Sequence, residues 1–142
     1  VNDKWSVLFN LHGNDNDSDA DLYNADSDKD FYKGRSEFDP SIETETIGGS
    51  ITVEGELSNS LTFTSITAYD ELEKRHEEDA DVTELDIITN EYNPDTETFM
   101  QEFRLNGDYD NGHWILGAFY STDEVDYHQS VRLYGDAGIS HY

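Results

Sequence analysis

"LTFTSITAYDELEKR", residues 61–75, alternates apolar and small polar side chains for about ten positions and then turns abruptly to charge. Leu61, Phe63 and Tyr69 fall on one parity, with Thr62, Thr64 and Asp70 on the other. Successive side chains of a strand point to opposite faces, so a period of two predicts a strand with one apolar face. Two environments want such a strand: a half-buried sheet in a soluble protein, and the wall of a membrane barrel.

Four further stretches carry the same period. "WSVLFNLH" puts Trp5, Val7, Phe9 and Leu11 on one face, and "SITVEGEL" does the same with Ile51, Val53 and Leu57. "TFMQEFRLN" places Phe99, Phe103 and Leu105 opposite Met100, Glu102 and Arg104. "HWILGAFYST" gives Trp114, Leu116, Ala118 and Tyr120 one parity, although Ile115 and Phe119 make this strand apolar on both. Strands are therefore expected near 4–12, 49–57, 61–71, 98–106 and 113–123. No helical spacing is sustained; the best candidate, 71–88, lacks an apolar stripe and reads as a charged loop.

The connections discriminate between the two environments. Strands two and three are joined by "SNS", and four and five by "GDYDNG", both turn-prone. Long loops are expected at 13–48, 73–97 and 124–142, far beyond the ~4–6 residues typical of compact domains. Long and short links alternate, which in an up-and-down meander puts every long loop on one side. The chain has 33 Asp+Glu against 8 Lys+Arg, and these three loops hold 24 of the acids. A soluble sheet needs a second layer over its apolar face, and little sequence is left to build one. A transmembrane barrel uses lipid instead, with polar residues inside, short periplasmic turns and aromatic girdles. Trp5 and Trp114 fall at the short-turn ends, where such a girdle would lie. The expected fold is all-β: an antiparallel meander of about five to six strands, part of a larger transmembrane β-barrel.

In order and spacing, "LTFTSITAYDELEKRHEEDAD", "FMQEFRLN" and "WILGAFYSTDE" resemble the barrel region of TonB-dependent receptors of the Gram-negative outer membrane. The family's strand signatures fall on Ser65, Ile66, Thr67 and Tyr69; on Gln101, Glu102, Arg104 and Leu105; and on Trp114, Gly117 and Tyr120. The match spans 49–125, while 1–48 agrees in pattern only. The resemblance implies energised uptake of a scarce ligand (an iron chelate, a vitamin or a glycan) across the outer membrane. Its implied partners are outer-membrane lipid and an inner-membrane energy-coupling complex, reached through an N-terminal plug domain that is absent here. The chain opens on Val rather than Met, and it is expected to be an internal fragment of such a barrel. Five strands cannot close, so the piece alone is expected to fold poorly, as an open, curved sheet.

Glu102 and Arg104 share the lumen parity and are the candidate plug-facing residues. "DSDKDFYKGRSE", 26–37, echoes an EF-hand calcium loop, but Phe31 stands where that loop needs Gly. A solvated acidic loop is the better reading there, as for "NDNDSDAD" at 14–21. The chain has no cysteine, and its five His share no ligand spacing, so no metal site or cofactor is expected. No catalytic arrangement stands out, and an enzyme is not expected. A net charge of -25 makes nucleic acid a poor partner. The rival reading is a soluble, acidic, calcium-binding β-sandwich acting as an adhesin or glycan-binding module.

Overall fold

The computed structural model of the protein describes residues 4–19, 41–81 and 87–134. They form five strands: β1 (Trp5–Asp19), β2 (Ser41–Ser58), β3 (Leu61–Asp79), β4 (Ile88–Tyr109) and β5 (Gly112–Leu133). All belong to one sheet in the order β1-β2-β3-β4-β5, an antiparallel meander that does not close on itself. Two-residue turns join β2 to β3 at Asn59–Ser60 and β4 to β5 at Asp110–Asn111, the shortest links that reverse a strand. The backbone N–H of Asp108 donates to the carbonyl of Ser60 at 2.9 Å, tying one turn to the neighbouring strand.

The strands are longer than their apolar pattern predicts. β4 and β5 each run 22 residues and β3 runs 19, where about 9–11 suffice to cross a bilayer. The expected loop at 73–97 is strand up to Asp79 and again from Ile88, and the expected loop at 124–142 is strand through Leu133. Of the expected loop at 13–48, residues 13–19 and 41–48 are strand; 20–40 lie outside the described residues. The physical reason is that ladder hydrogen bonds come from the backbone. A strand polar on both faces pairs as well as one with an apolar side, but leaves no hydropathy signal. The charged stretch 71–88 is likewise strand over most of its length.

By contacts the chain divides into two compact units, each drawing on all five strands. Unit 1 comprises Val1–Gly13, Thr46–Leu72 and Thr96–Glu124; unit 2 comprises Asn14–Glu45, Glu73–Asp95 and Val125–Tyr142. Among the described residues no large side chain is fully buried. The described residues of neither unit enclose a closed hydrophobic core.

Candidate functional site

Unit 1 has one face that is apolar on all five strands, and an opposite face that mixes polar side chains with Leu8, Ile115 and Phe119, each 65% exposed. Phe63 stacks on Phe103 across β3 and β4 with ring centroids 6.2 Å apart, and Phe99 meets Tyr120 across β4 and β5 at 6.5 Å. Yet the apolar face is open: Leu11 is 89% exposed, Phe9 69% and Leu116 62%. Two glycines let the tryptophans lie flat against it. A Cβ at Gly55 would fall inside the Trp5 ring, and one at Gly107 inside the Trp114 ring. Each indole therefore covers a bare stretch of backbone on the adjacent strand, a known way of stabilising strand glycines.

A polar cluster of Gln101, Ser65 and Thr67 sits within this face and is satisfied there. The Gln101 amide donates to the Ile66 carbonyl at 2.9 Å and to Ser65 Oγ at 3.2 Å, while its Oε1 accepts from Thr67 Oγ1 at 2.7 Å. An amide used in this way presents little unmet polarity to an apolar medium. Spacing alone gives no hint of it, because a Gln on an apolar parity reads as an interruption.

The opposite face of unit 1 carries an ion pair and further polar contacts. Arg104 donates to Glu102 Oε1, from Nε at 3.0 Å and from the guanidinium end as well. The two candidate residues are thus brought together on the face away from Phe99 and Phe103. His12 Nε2 pairs with Asp70 Oδ1 at 2.7 Å, reaching from β1 to β3 across β2. Gly48 makes that reach possible, since a Cβ there would fall 2.7 Å from His12 Nε2 and closer still to Asp70. Thr98 donates to Asp123 at 2.8 Å on the same face. This three-strand clasp was not singled out in the sequence; its only signal was His12 and Asp70 on matching parities with a Gly between.

Unit 2 is acidic where unit 1 is apolar. On the strand parity that carries unit 1's apolar residues, each strand turns to two successive acids, of which Glu71, Glu97 and Glu124 still belong to unit 1: Asp15 and Asp17, Glu45 and Glu43, Glu71 and Glu73, Glu97 and Asp95, Glu124 and Asp126. Within unit 2, Asp15, Asp17, Glu43, Glu45 and Glu73 line an open cavity of about 310 Å³ with Arg75 as the cation among them. On β3 and β4, Glu78 Oε1 accepts from Tyr92 Oη at 3.1 Å and Asn90 Nδ2 at 3.2 Å, and the His76 ring leans on Tyr92. Partial burial, followed by the hydrogen bond to Glu78 and that carboxylate's charge, pushes the Tyr92 hydroxyl above its ordinary value of 10.0. Glu91 accepts from Asn93 at 2.8 Å and from Ser130 at 3.1 Å.

Among the described residues no group of three or more His, Asp or Glu is arranged to hold a metal ion. The calcium-like stretch 26–37 lies outside the described residues, whereas 14–19 of the acidic run at 14–21 is strand. No family model matches the chain, and neither a curated protein nor a solved structure matches it.

Proposed function

We propose that these five strands form part of the wall of an outer-membrane transport barrel of the TonB-dependent receptor type. Unit 1 is the lipid-crossing portion and unit 2 the portion projecting into the external medium. One observation carries the reading: unit 1 exposes large apolar side chains on the same face of all five strands while its opposite face bears His12–Asp70 and Glu102–Arg104. Water penalises such a face at roughly 25 cal/mol per Å², and lipid removes that penalty. The apolar stretches, Trp5 to Leu11 and Trp114 to Tyr120 among them, are close to the bilayer-crossing length.

The function is then transport by binding rather than by chemistry. The strands hold the projecting segments at the cell surface, the polar face lines a lumen, and Glu102 and Arg104 face whatever fills it. A charged pair already neutralised within the wall lets a plug seat without stranding a bare charge. The free edges of β1 and β5 require further strands, because unpaired backbone in lipid costs several kcal/mol per group. The ligand class is left open. A calcium-loaded sandwich would need a second sheet over the apolar face, and the described residues hold a single sheet.

The test is folding of the 142-residue chain from urea into phosphatidylcholine vesicles whose acyl chains carry bromine at defined depths. We expect β-sheet circular dichroism to develop with quenching of Trp5 and Trp114, strongest for bromine near the headgroups, and no response to a calcium chelator. A water-soluble fold with unquenched tryptophans that melts on chelation overturns the membrane reading. Sequencing the gene on both sides tests the receptor assignment separately. It requires a plug-like domain upstream and further alternating strands downstream.

A further inference from the structure

The tight link "GDYDNG" carries a chemistry that neither face of the sheet uses. The chain contains two Asn–Gly pairs, Asn106–Gly107 and Asn111–Gly112. In such a pair the glycine nitrogen can reach the asparagine side chain, because no Cβ on the glycine hinders the approach. The peptide group between the two residues must rotate first, so its surroundings decide whether the attack occurs. Asn106 is half-buried and Gly107 buried, and the Trp114 ring covers Gly107 so closely that a Cβ there would fall inside it. β4 is an inner strand between β3 and β5, and its peptide groups are laddered to those neighbours. Beside this site the Asp108 N–H reaches the Ser60 carbonyl. Asn111, by contrast, is exposed in the two-residue turn between β4 and β5. Gly112 meets the end of the exposed Tyr109 side chain rather than an indole, with the hydroxyl 2.6 Å from where a Cβ would stand.

We propose that Asn111 is a site of spontaneous modification, where the chain deamidates through a cyclic imide, while the sheet keeps Asn106 intact. The Gly112 nitrogen gives its proton to water and bonds to Asn111 Cγ. The bond from Cγ to Nδ2 breaks, and Nδ2 leaves as ammonia with a proton returned by water. A second water then opens the imide at one of its two carbonyl carbons. Opening at Cγ leaves an ordinary aspartate. Opening at the backbone carbon leaves isoaspartate, whose main chain runs through the former side chain and is one carbon longer. Either product adds a negative charge to a chain of net charge -25. Isoaspartate also lengthens a link of only two residues, and loop length sets the register of a hairpin. The modification therefore loosens the β4–β5 hairpin, whichever solvent surrounds the sheet. Each ladder hydrogen bond that must open first slows the attack about fivefold. With the ladder and the indole both in the way, Asn106 reacts at least about tenfold more slowly.

The experiment incubates the full 142-residue chain at mildly alkaline pH, in whichever of buffer or lipid vesicles gives β-sheet circular dichroism, beside a sample kept in urea. Peptide mapping by mass spectrometry follows both sites. In urea the two asparagines are expected to convert at the same rate, since both then sit in open chain. In the folded sample Asn111 is expected to give aspartate and isoaspartate, with Asn106 at no more than about one-tenth of that rate. Trp114→Ala, which uncovers Gly107, raises the rate at Asn106. If that variant does not fold, the wild-type comparison of folded and urea samples decides alone. Gly112→Ala adds the missing Cβ and slows Asn111 in both samples; an unchanged rate there overturns the cyclic route. Equal rates at the two sites in the folded sample overturn the proposal, as does faster conversion of Asn106, or an Asn111 that stays intact while the urea sample converts. Asn111→Asp should keep the amide protection of the β4–β5 hairpin, and the isoaspartyl chain should lose it. Equal protection in those two chains overturns the effect on the hairpin.

Discussion

The two units are cut from the same five strands, yet different forces hold them. Unit 1 builds aromatic contacts on one face: Phe63 stacks on Phe103, Phe99 meets Tyr120, and two tryptophans cover glycines. The described residues of unit 2 are knitted by side-chain hydrogen bonds. Glu78 accepts from Asn90 and Tyr92, Glu91 from Asn93 and Ser130, and Asp81 Oδ2 from the backbone N–H groups of Ile87 and Ile88 at 3.0 and 2.7 Å. The lesson is that one continuous strand can change its side-chain chemistry along its length while the ladder supplies the same backbone bonds throughout.

The sharpest way to break this contrast is to put the same charge into each unit. Leu116→Arg on unit 1's apolar face is expected to cost about 2–4 kcal/mol, the depth-dependent penalty for a cation on the lipid face of a barrel. His128→Arg, on the same strand and the same face but in unit 2 and exposed, is expected to stay within about 0.5 kcal/mol. Urea unfolding from lipid vesicles measures both. Equal costs would mean that the units share one solvent.

Next in size are the glycines that the tryptophans cover. Gly55→Val or Gly107→Val forces an indole off the sheet, with an expected loss of about 1–3 kcal/mol from overpacking and a shift in tryptophan emission. Gly48→Ala drives a methyl between His12 and Asp70, and a loss of about 1 kcal/mol is expected, the net worth of one hydrogen bond. The His12 ring signal in NMR should move toward that of a free histidine. Glu102→Gln is milder still. The pair is partly exposed, with side chains 42% and 31% accessible, so less than about 1 kcal/mol is expected. Within a filled lumen the same substitution should cost more than in the chain alone, because the partner charge would then be buried.

The apolar parities of unit 1 were legible in the sequence because successive side chains of a strand alternate between its two faces, so a face of one character shows as a period of two. The tight turns were legible through their Asn, Asp, Ser and Gly content. Unit 2's strands were not. Stretches such as Glu43–Thr44–Glu45 and Glu77–Glu78–Asp79 alternate nothing, and charge runs ordinarily signal exposed coil. The missed cue was subtler: the acids at 15 and 17, 43 and 45, and 71 and 73 keep the spacing of two that the apolar residues had set. Of the candidate residues, Glu102 and Arg104 could be placed on one face from spacing alone. The Gln101 cluster and the His12–Asp70 clasp could not, because both depend on which strand lies beside which.

The smallest expected effect lies in unit 2 and is a pH dependence. Tyr92 is held protonated by partial burial and by its hydrogen bond to Glu78, and its folded pKa is raised above 10.0. A raised folded pKa means that this contribution is fully present below the unfolded value and is lost as pH climbs through the folded one. Neutral and mildly alkaline solutions should therefore leave unit 2 unchanged, with weakening only above about pH 10. Tyr92→Phe keeps the ring against His76 but removes the proton, and its unfolding midpoint should fall less steeply over that range than the wild type's. Hydrogen exchange at the β3–β4 ladder locates the effect. If the amides of unit 1 lose protection in step with those of unit 2, and Tyr92→Phe cancels both losses, the two units unfold as one and the contrast between them is one of composition alone. If only unit 2 responds, the change of side-chain chemistry along each strand is also a boundary in stability.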